Sequence, residues 1–344
     1  MNQREMPYNA LMIRGSQKGL ALLLVTFIVA LASIIVVNLT YSTYLGSILG
    51  LTAERSVQAE YVLKSAVNFA RVLIKEDITD EDSMRDEWGR FANGLAVPPE
   101  LLGMAAQNVL IELEIRPEGA KLNVNNLVPR QFNGQPDLKY RRIFERLFTL
   151  LQFDQDEEEQ ASGPAQGEFF GVKEMVANLI DYMDPDEEPY DADGFRGIEN
   201  ERSGFSNNRI SRLEELAAVP GFTPARVQRL LPFLTAYDNF YLNLNLAPRI
   251  LLLSLHPDLE EAQIDQIIAF RSSEEGPFQN TNKLAEFIPD DSILSDINPL
   301  LTHRNQWFQV LAKVDYGTST YYMRALLSKN SKGELPDIRK QEIF

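Results

Sequence analysis

Residues 20–37 read LALLLVTFIVALASIIVV, a run without a single charge, and the apolar character persists to Leu39. An α-helix rises about 1.5 Å per residue, so some twenty such residues match the roughly 30 Å hydrocarbon thickness of a bilayer. Arg14 and Lys18 precede the run and a long acidic body follows it. The positive-inside rule therefore predicts residues 1–19 in the cytoplasm and the remainder outside it. A cleaved secretory signal would have a shorter apolar core closed by small residues, whereas a plain single-pass anchor fits this evidence.

Beyond the run, Val57, Tyr61, Ala66, Phe69, Ala70, Leu73 and Ile74 recur mainly at steps of three and four. The spacing predicts one long helix from Leu20 to about Lys75, apolar all round in its first half and amphipathic in its second. The rest of the chain is long enough to bury a substantial core. Its formal charge of -16 would repel nucleic-acid phosphates, and the Arg and Lys residues are scattered rather than gathered in a patch. The absence of cysteine removes disulfides, thiol catalysis and cysteine-ligated zinc. The histidines, His256 and His303, lie far from the acidic stretch in sequence, and no nucleophile–base pattern is evident, so an enzyme is not expected.

Val109, Ile111, Leu113 and Ile115 alternate with Leu110, Glu112 and Glu114, which predicts a half-buried strand. Glu118-Gly119 reads as a turn, with a return strand beginning at Lys121–Val124. Asn123, Asn125, Asn243 and Asn245 read as structural turn residues, because Asn side chains satisfy nearby loop backbone. Helices are expected over 138–153 and 169–183, separated by a mobile acidic segment. Two apolar runs, Trp307–Val314 and Thr320–Leu327, flank Gly317 and predict an antiparallel hairpin that completes the sheet. The tail after Ser328 is polar and expected to fray.

Between Asp181 and Glu201 lie nine carboxylates against one Arg196. Such crowding is costly unless the groups face water or share a cation, and calcium takes six to eight hard oxygen ligands. The spacing is not that of an EF-hand: Pro189 and Phe195 stand where that loop needs Gly and Glu. On the residues alone, a solvated acidic loop and a cation site both remain open.

A basic, polar leader ending in Gly19 just before the apolar run resembles a type IV prepilin signal. LNVNNL (122–127), DYMDPDEEPYDADGFRGIE (181–199), the VPG helix pair with YLNLNLAP (241–248) and the closing strands resemble, in order and spacing, the K-type minor pseudopilins of the bacterial type II secretion system. The resemblance implies cleavage between Gly19 and Leu20 by prepilin peptidase, with methylation of the new N-terminus. Leu24 occupies the place where major pilins carry a glutamate, a departure shared by the K type. It also implies one or two calcium ions, with Asp181, Asp184, Asp186, Glu188, Asp191, Asp193 and Glu199 as candidate ligands. Tyr182 stands in place of the usual tryptophan, and Phe195-Arg196 interrupts the usual spacing.

The implied fold is α+β: a long N-terminal helix on a small antiparallel sheet, with a large, mostly helical domain inserted. The boundaries read as leader 1–19, helix 20–77, first part of the pilin-like domain 78–127, inserted domain 128–302, closing strands 303–328 and tail 329–344. The implied role is a cap at the tip of the pseudopilus, anchored in the inner membrane with its body in the periplasm. Its partners would be the I-type and J-type minor pseudopilins, through them the major subunit, and no nucleic acid. The alternative is a prepilin-like DNA-uptake or adhesion component, because the pair of short helices around Val219-Pro220-Gly221 resembles a helix-hairpin-helix module.

Overall fold

The computed structural model describes residues 13–103, 109–155, 170–201, 203–237, 240–316 and 319–344. The expected acidic linker between the second and third helices lies almost wholly outside the described residues, as does Gly317. The chain divides into Met1–Tyr61 and Val62–Phe344, and helix α1 (Ile13–Glu76) contributes to both.

In the first unit the large apolar side chains from Leu20 to Leu51 are exposed. Several of its hydroxyls bond within the helix: Ser33 donates to Val29 O (2.8 Å), Thr40 to Val36 O (2.8 Å) and Thr43 to Leu39 O (2.9 Å). A helix bound for lipid needs this, since the hydrocarbon offers no partner for a free polar group.

In the second unit the end of α1 buries Leu63, Ala66, Val67, Ala70 and Ile74, a stripe at helical spacing, and packs on the sheet. That sheet has five strands: β1 (Leu95–Ala96), β2 (Val109–Pro117), β9 (Trp307–Tyr316), β10 (Ser319–Ser328) and β11 (Asp337–Ile343), in that spatial order and all antiparallel. Alternation sends one face to the core. Leu113, Ala312 and Met323 form one buried row, Ile115, Val310 and Ala325 the next, and Phe308 faces Leu327 in a third. Trp88, fully buried, meets Phe308 edge-on at 5.0 Å.

Two elements differ from the sequence expectation. The polar tail is not frayed: Asp337–Ile343 is the edge strand β11, and the Phe344 ring stacks on Tyr322 at 5.6 Å. Edge strands carry charge to block further pairing, which is why this strand reads as a tail. The return strand at 121–124 does not pair with β2, which lies between β1 and β9. Instead β3 (Leu122–Asn123) pairs in parallel with β6 (Leu234–Thr235).

Everything from β3 to the start of β9 forms the helical insertion, and its plan is used twice. Leu122-Asn123-Val124-Asn125 leads into α2 (Leu138–Leu150) and α3 (Val172–Met183), a 3₁₀ turn at Leu213–Ala218, α4 (Pro224–Leu230) and the closing strand β6. After it, β7 (Leu242–Asn243) opens Leu242-Asn243-Leu244-Asn245 and leads into α5 (Arg249–Ser254), α6 (Glu261–Ser272), a 3₁₀ turn at Thr281–Glu286 and α7 (Asp291–Ile297). The second pass closes with β8 (Leu301–Thr302), again parallel to its opener. In each pass the first Asn accepts from the backbone of the second: Asn125 N to Asn123 Oδ1 at 3.0 Å, Asn245 N to Asn243 Oδ1 at 2.8 Å. The second Asn then grips a distant peptide from both sides. Asn125 exchanges bonds of 2.9 Å with Ile210 N and O, and Asn245 bonds of 2.8 and 2.9 Å with Phe278 N and O. Phe144, Phe148, Phe153 and Phe222 fill the core of the first pass.

Candidate metal centre

Helix α3 ends at Asp184, whose amide still donates to Ile180 O (2.9 Å). Asp181 and Asp184 therefore sit at the negative end of the helix dipole, where a carboxylate is unfavourable and a cation welcome. The following loop doubles back through a two-residue hairpin, β4 (Asp191–Ala192) against β5 (Phe195–Arg196). Its tip, Asp193-Gly194, has φ of +56° and +81°, the pattern a tight hairpin turn requires. Arg141, buried on α2, fixes this tip by donating to Asp193 Oδ2 (2.7 Å) and lying over the Phe195 ring at 4.3 Å.

Asp181 closes the loop at its base. Its Oδ1 accepts from Tyr190 N (2.7 Å) and its Oδ2 from Glu199 N (3.2 Å). Only glycine fits at Gly197, because a Cβ there would lie 1.8 Å from Asp181 Oδ2. This closure brings Glu199 back over the end of α3. Asp184, Asp186 and Glu199 then each offer an oxygen within 4.8 Å of the others'.

Of the seven carboxylates singled out in the sequence, the structure thus gathers three. Asp181 spends both oxygens on backbone amides. Asp193 is turned away and paired with Arg141, while Glu188 and Asp191 are exposed on the loop and hairpin. A further group joins the cluster. Asn207, at φ +48°, donates to Asp186 O (2.6 Å) and lies beside Glu199. An Asn in a left-handed turn after a Gly-Phe-Ser run is the one signal for it in the sequence, and it is weak.

The electrostatics are those of crowded anions. Burial, helped by Asp186, Asp181 and Glu199, pushes the Asp184 carboxyl up to about 8. Burial pushes Asp181 to about 6 and Glu199 upward. Asp184 Oδ1, Glu199 Oε2 and Asn207 Oδ1 are buried and accept no hydrogen bond within the protein. Buried acceptors without donors are costly, and a hard cation satisfies all three at once. The donor set fits a metal ion.

Among the described residues a second acidic group, Asp77, Asp82 and Asp86, lies just after α1. It already holds a cation: Lys329 Nζ is 2.8 Å from Asp77 and 2.7 Å from Asp82. Its other oxygens accept from Thr79 Oγ1, Asn305 N and Ser83 N. It is a finished ion-pair cluster that ties the end of β10 to the residues after α1.

The Val219-Pro220-Gly221 turn is buried: Val219 and Phe222 are inaccessible, and a Cβ on Gly221 would lie 2.8 Å from Met175. The turn that a helix-hairpin-helix module presents to a phosphate backbone here faces the core.

Residues 120–239 match the family model for the type II secretion system (T2SS), protein K. The fold is similar to that of a chain in the crystal structure of the GspK-GspI-GspJ complex from the enterotoxigenic Escherichia coli type 2 secretion system. The TM-score is 0.66 at 14% identity, over 85% of this chain and 98% of that one. No curated protein sequence matches the chain.

Proposed function

We infer function from the match of residues 120–239 to the family model for protein K of the type II secretion system. The chain is a minor pseudopilin whose work is assembly rather than bond chemistry. It caps the tip of the pseudopilus in a complex with the I-type and J-type minor pseudopilins, initiates the filament and so supports export across the outer membrane. Prepilin peptidase cuts it between Gly19 and Leu20 and methylates the new terminus. Its helix, long and apolar enough to cross a membrane, holds it in the inner membrane with the body in the periplasm.

The observation that carries the tip position is Leu24, which stands where a stacked pilin helix has its glutamate. That carboxylate neutralises the terminal amine of the neighbouring subunit, and a lone carboxylate in lipid is expensive. A subunit with nothing above it has no amine to neutralise. The breadth of the helical insertion agrees, since a subunit at the end of a stack is not hemmed in on all sides.

The cation is calcium, held by Asp184, Asp186 and Glu199 with Asn207 beside them. When bound, it supplies positive charge to a buried carboxylate cluster. The chain's own residues pre-set the site: Asp181 closes the loop, and Arg141 keeps Asp193 out of it.

Co-purification with the I-type and J-type partners should give a stable three-protein complex, and its failure to form would sink the tip assignment. Mass spectrometry should find a mature N-terminus at Leu20 that is lost on Gly19→Ser; normal processing of that variant would refute the leader. Calorimetric calcium binding should weaken at least tenfold in Asp184→Ala/Asp186→Ala, and unchanged traces would remove the calcium site.

A further inference from the structure

The outward face of the sheet forms the floor of a groove. Cross-strand pairing sets Arg116, Gln309, Leu326 and Lys340 in one row, and places Leu311, Arg324 and Glu342 beside it. The wall comes from the helical insertion, at residues 211–214 and 235–237. The deeper part has a volume of about 270 Å³ and opens into a second hollow that shares Ser211, Ala236, Tyr237 and Leu326 with it.

Its charge runs against that of the molecule. Among the described residues, eight cationic side chains and three carboxylates line the two hollows, on a chain of formal charge -16. The shallower hollow has Arg130, Arg209 and Arg339 and no acidic group. Carboxylates offset part of this charge, Lys121 pairing with Glu118, Arg116 with Glu114 and Arg339 with Asp337, but Arg212 and Lys340 share Glu342, at 3.8 and 2.8 Å, and Arg324 lies on the Phe344 ring at 5.3 Å. A β-bulge adds to the concentration. The pairing of β10 with β11 slips between Leu326 and Leu327, so Arg339 is the extra residue, and Arg339 and Lys340 both line the groove. Bulges of this kind re-aim side chains where a sheet meets a ligand.

We propose that this groove docks an extended acidic segment of a partner polypeptide. Four strands, β2, β9, β10 and β11, make its floor. At about 4.8 Å between strands the floor is roughly 14 Å across, the length of about four extended residues. Leu213, Leu231 and Leu326 among the cations suit a peptide of carboxylates interspersed with small side chains. A nucleic acid fits poorly, because a long phosphate chain would leave the groove and meet the acidic remainder of the surface. A short acidic stretch ends where the cations end.

The test uses the full chain in non-ionic detergent and fluorescence anisotropy of a labelled ten-residue peptide alternating Glu and Ser. The peptide should bind and weaken steeply with salt, and its Gln/Ser counterpart should not bind. Arg324→Glu/Lys340→Glu and the milder Arg324→Gln/Lys340→Gln should each cost at least tenfold in affinity. Arg304→Glu, outside the groove, should stay within twofold. The Gln pair, checked for an unchanged unfolding temperature, keeps the result readable should charge reversal disturb folding. No binding by the wild-type chain, or equal binding by both double variants, would overturn the proposal. Displacement by inorganic phosphate at the peptide's own concentration would reduce the groove to a simple anion site, and stronger competition by oligo-dT would assign it to nucleic acid; either result overturns the peptide reading.

Discussion

Replacing Lys329 with Met offers a direct test of how the second unit is closed. The Lys329 side chain is 13% exposed and lies between Asp77 and Asp82, which are 3% and 4% exposed, with Asp86 in the same cluster. Met fills a similar volume but leaves three carboxylates facing one another without a counter-charge. Breaking a buried pair in this way costs about 3–5 kcal/mol. Unfolding entropy of about 2.1 cal/mol/K per residue, over the roughly 280 residues from Val62 to Phe344, makes that a fall in Tm of about 5–8 °C. The loss should depend on pH in a definite direction. Burial holds the Asp82 carboxyl at about 6 despite Lys329, and burial with Asp77 and Asp82 nearby holds Asp86 at about 7. Both lie above the value of 3.8 that applies in the unfolded chain, so these groups carry more protons when folded, and their contribution falls as pH rises through 6–7. Asp77 behaves oppositely: burial pushes it up, but hydrogen bonds from Lys329 and Thr79 hold it below 3.8, and the variant loses that benefit. The deficit should be full at pH 8 and shrink below pH 6. Thermal unfolding by near-ultraviolet circular dichroism, where Trp88 is a reporter, measures it. A drop under about 2 °C at pH 8, or an equal drop at pH 5 and pH 8, would refute the account.

Asn245→Ala should leave the Phe278 N–H and carbonyl without partners, at roughly 1–3 kcal/mol for each, measured by urea unfolding; a change under about 0.5 kcal/mol would deny the clamp its role. Gly197→Ala should cost about 1–3 kcal/mol by forcing Asp181 aside, and should weaken calcium binding although residue 197 is no ligand. Without added cation, stability should decline from pH 5 to pH 8, because Asp184 titrates at about 8 when folded and at 3.8 when unfolded. Millimolar calcium should flatten that decline, and Asp184→Asn should make it shallower, leaving the part due to Asp181, Asp82 and Asp86, and remove the calcium effect; unfolding curves with and without chelator decide it.

The parts of the fold that announce themselves in sequence are those with a period. The apolar run, the stripe through Ala66, Ala70 and Ile74 and the alternation of Ile111, Leu113 and Ile115 each reflect a period along one element, although Val57 and Tyr61, which share the spacing of that stripe, are exposed. The parallel bridges do not: Leu122 meets Leu234 and Leu242 meets Leu301 over two residues apiece, too short to show any alternation. Strand β11 is hidden for a different reason, since its charges serve an exposed edge and resemble those of a loose tail. At the acidic loop the composition was plain but the selection among carboxylates was not. The turn at Asp193-Gly194 points one group away, Asp181 is consumed by amides, and Asn207 arrives from beyond the stretch. Each of those outcomes depends on the path of the backbone rather than on residue type.

Pro117 stands directly opposite Phe308 in the pairing of β2 with β9. All of residues 118–307 therefore depart and return across a gap that a short turn would span. To the sheet, the whole head is a single connection between adjacent antiparallel neighbours, whatever its size. Evolution is free to enlarge, trim or exchange such a head while strand registration stays untouched, and an engineer inherits the same freedom to graft a foreign module between those two residues.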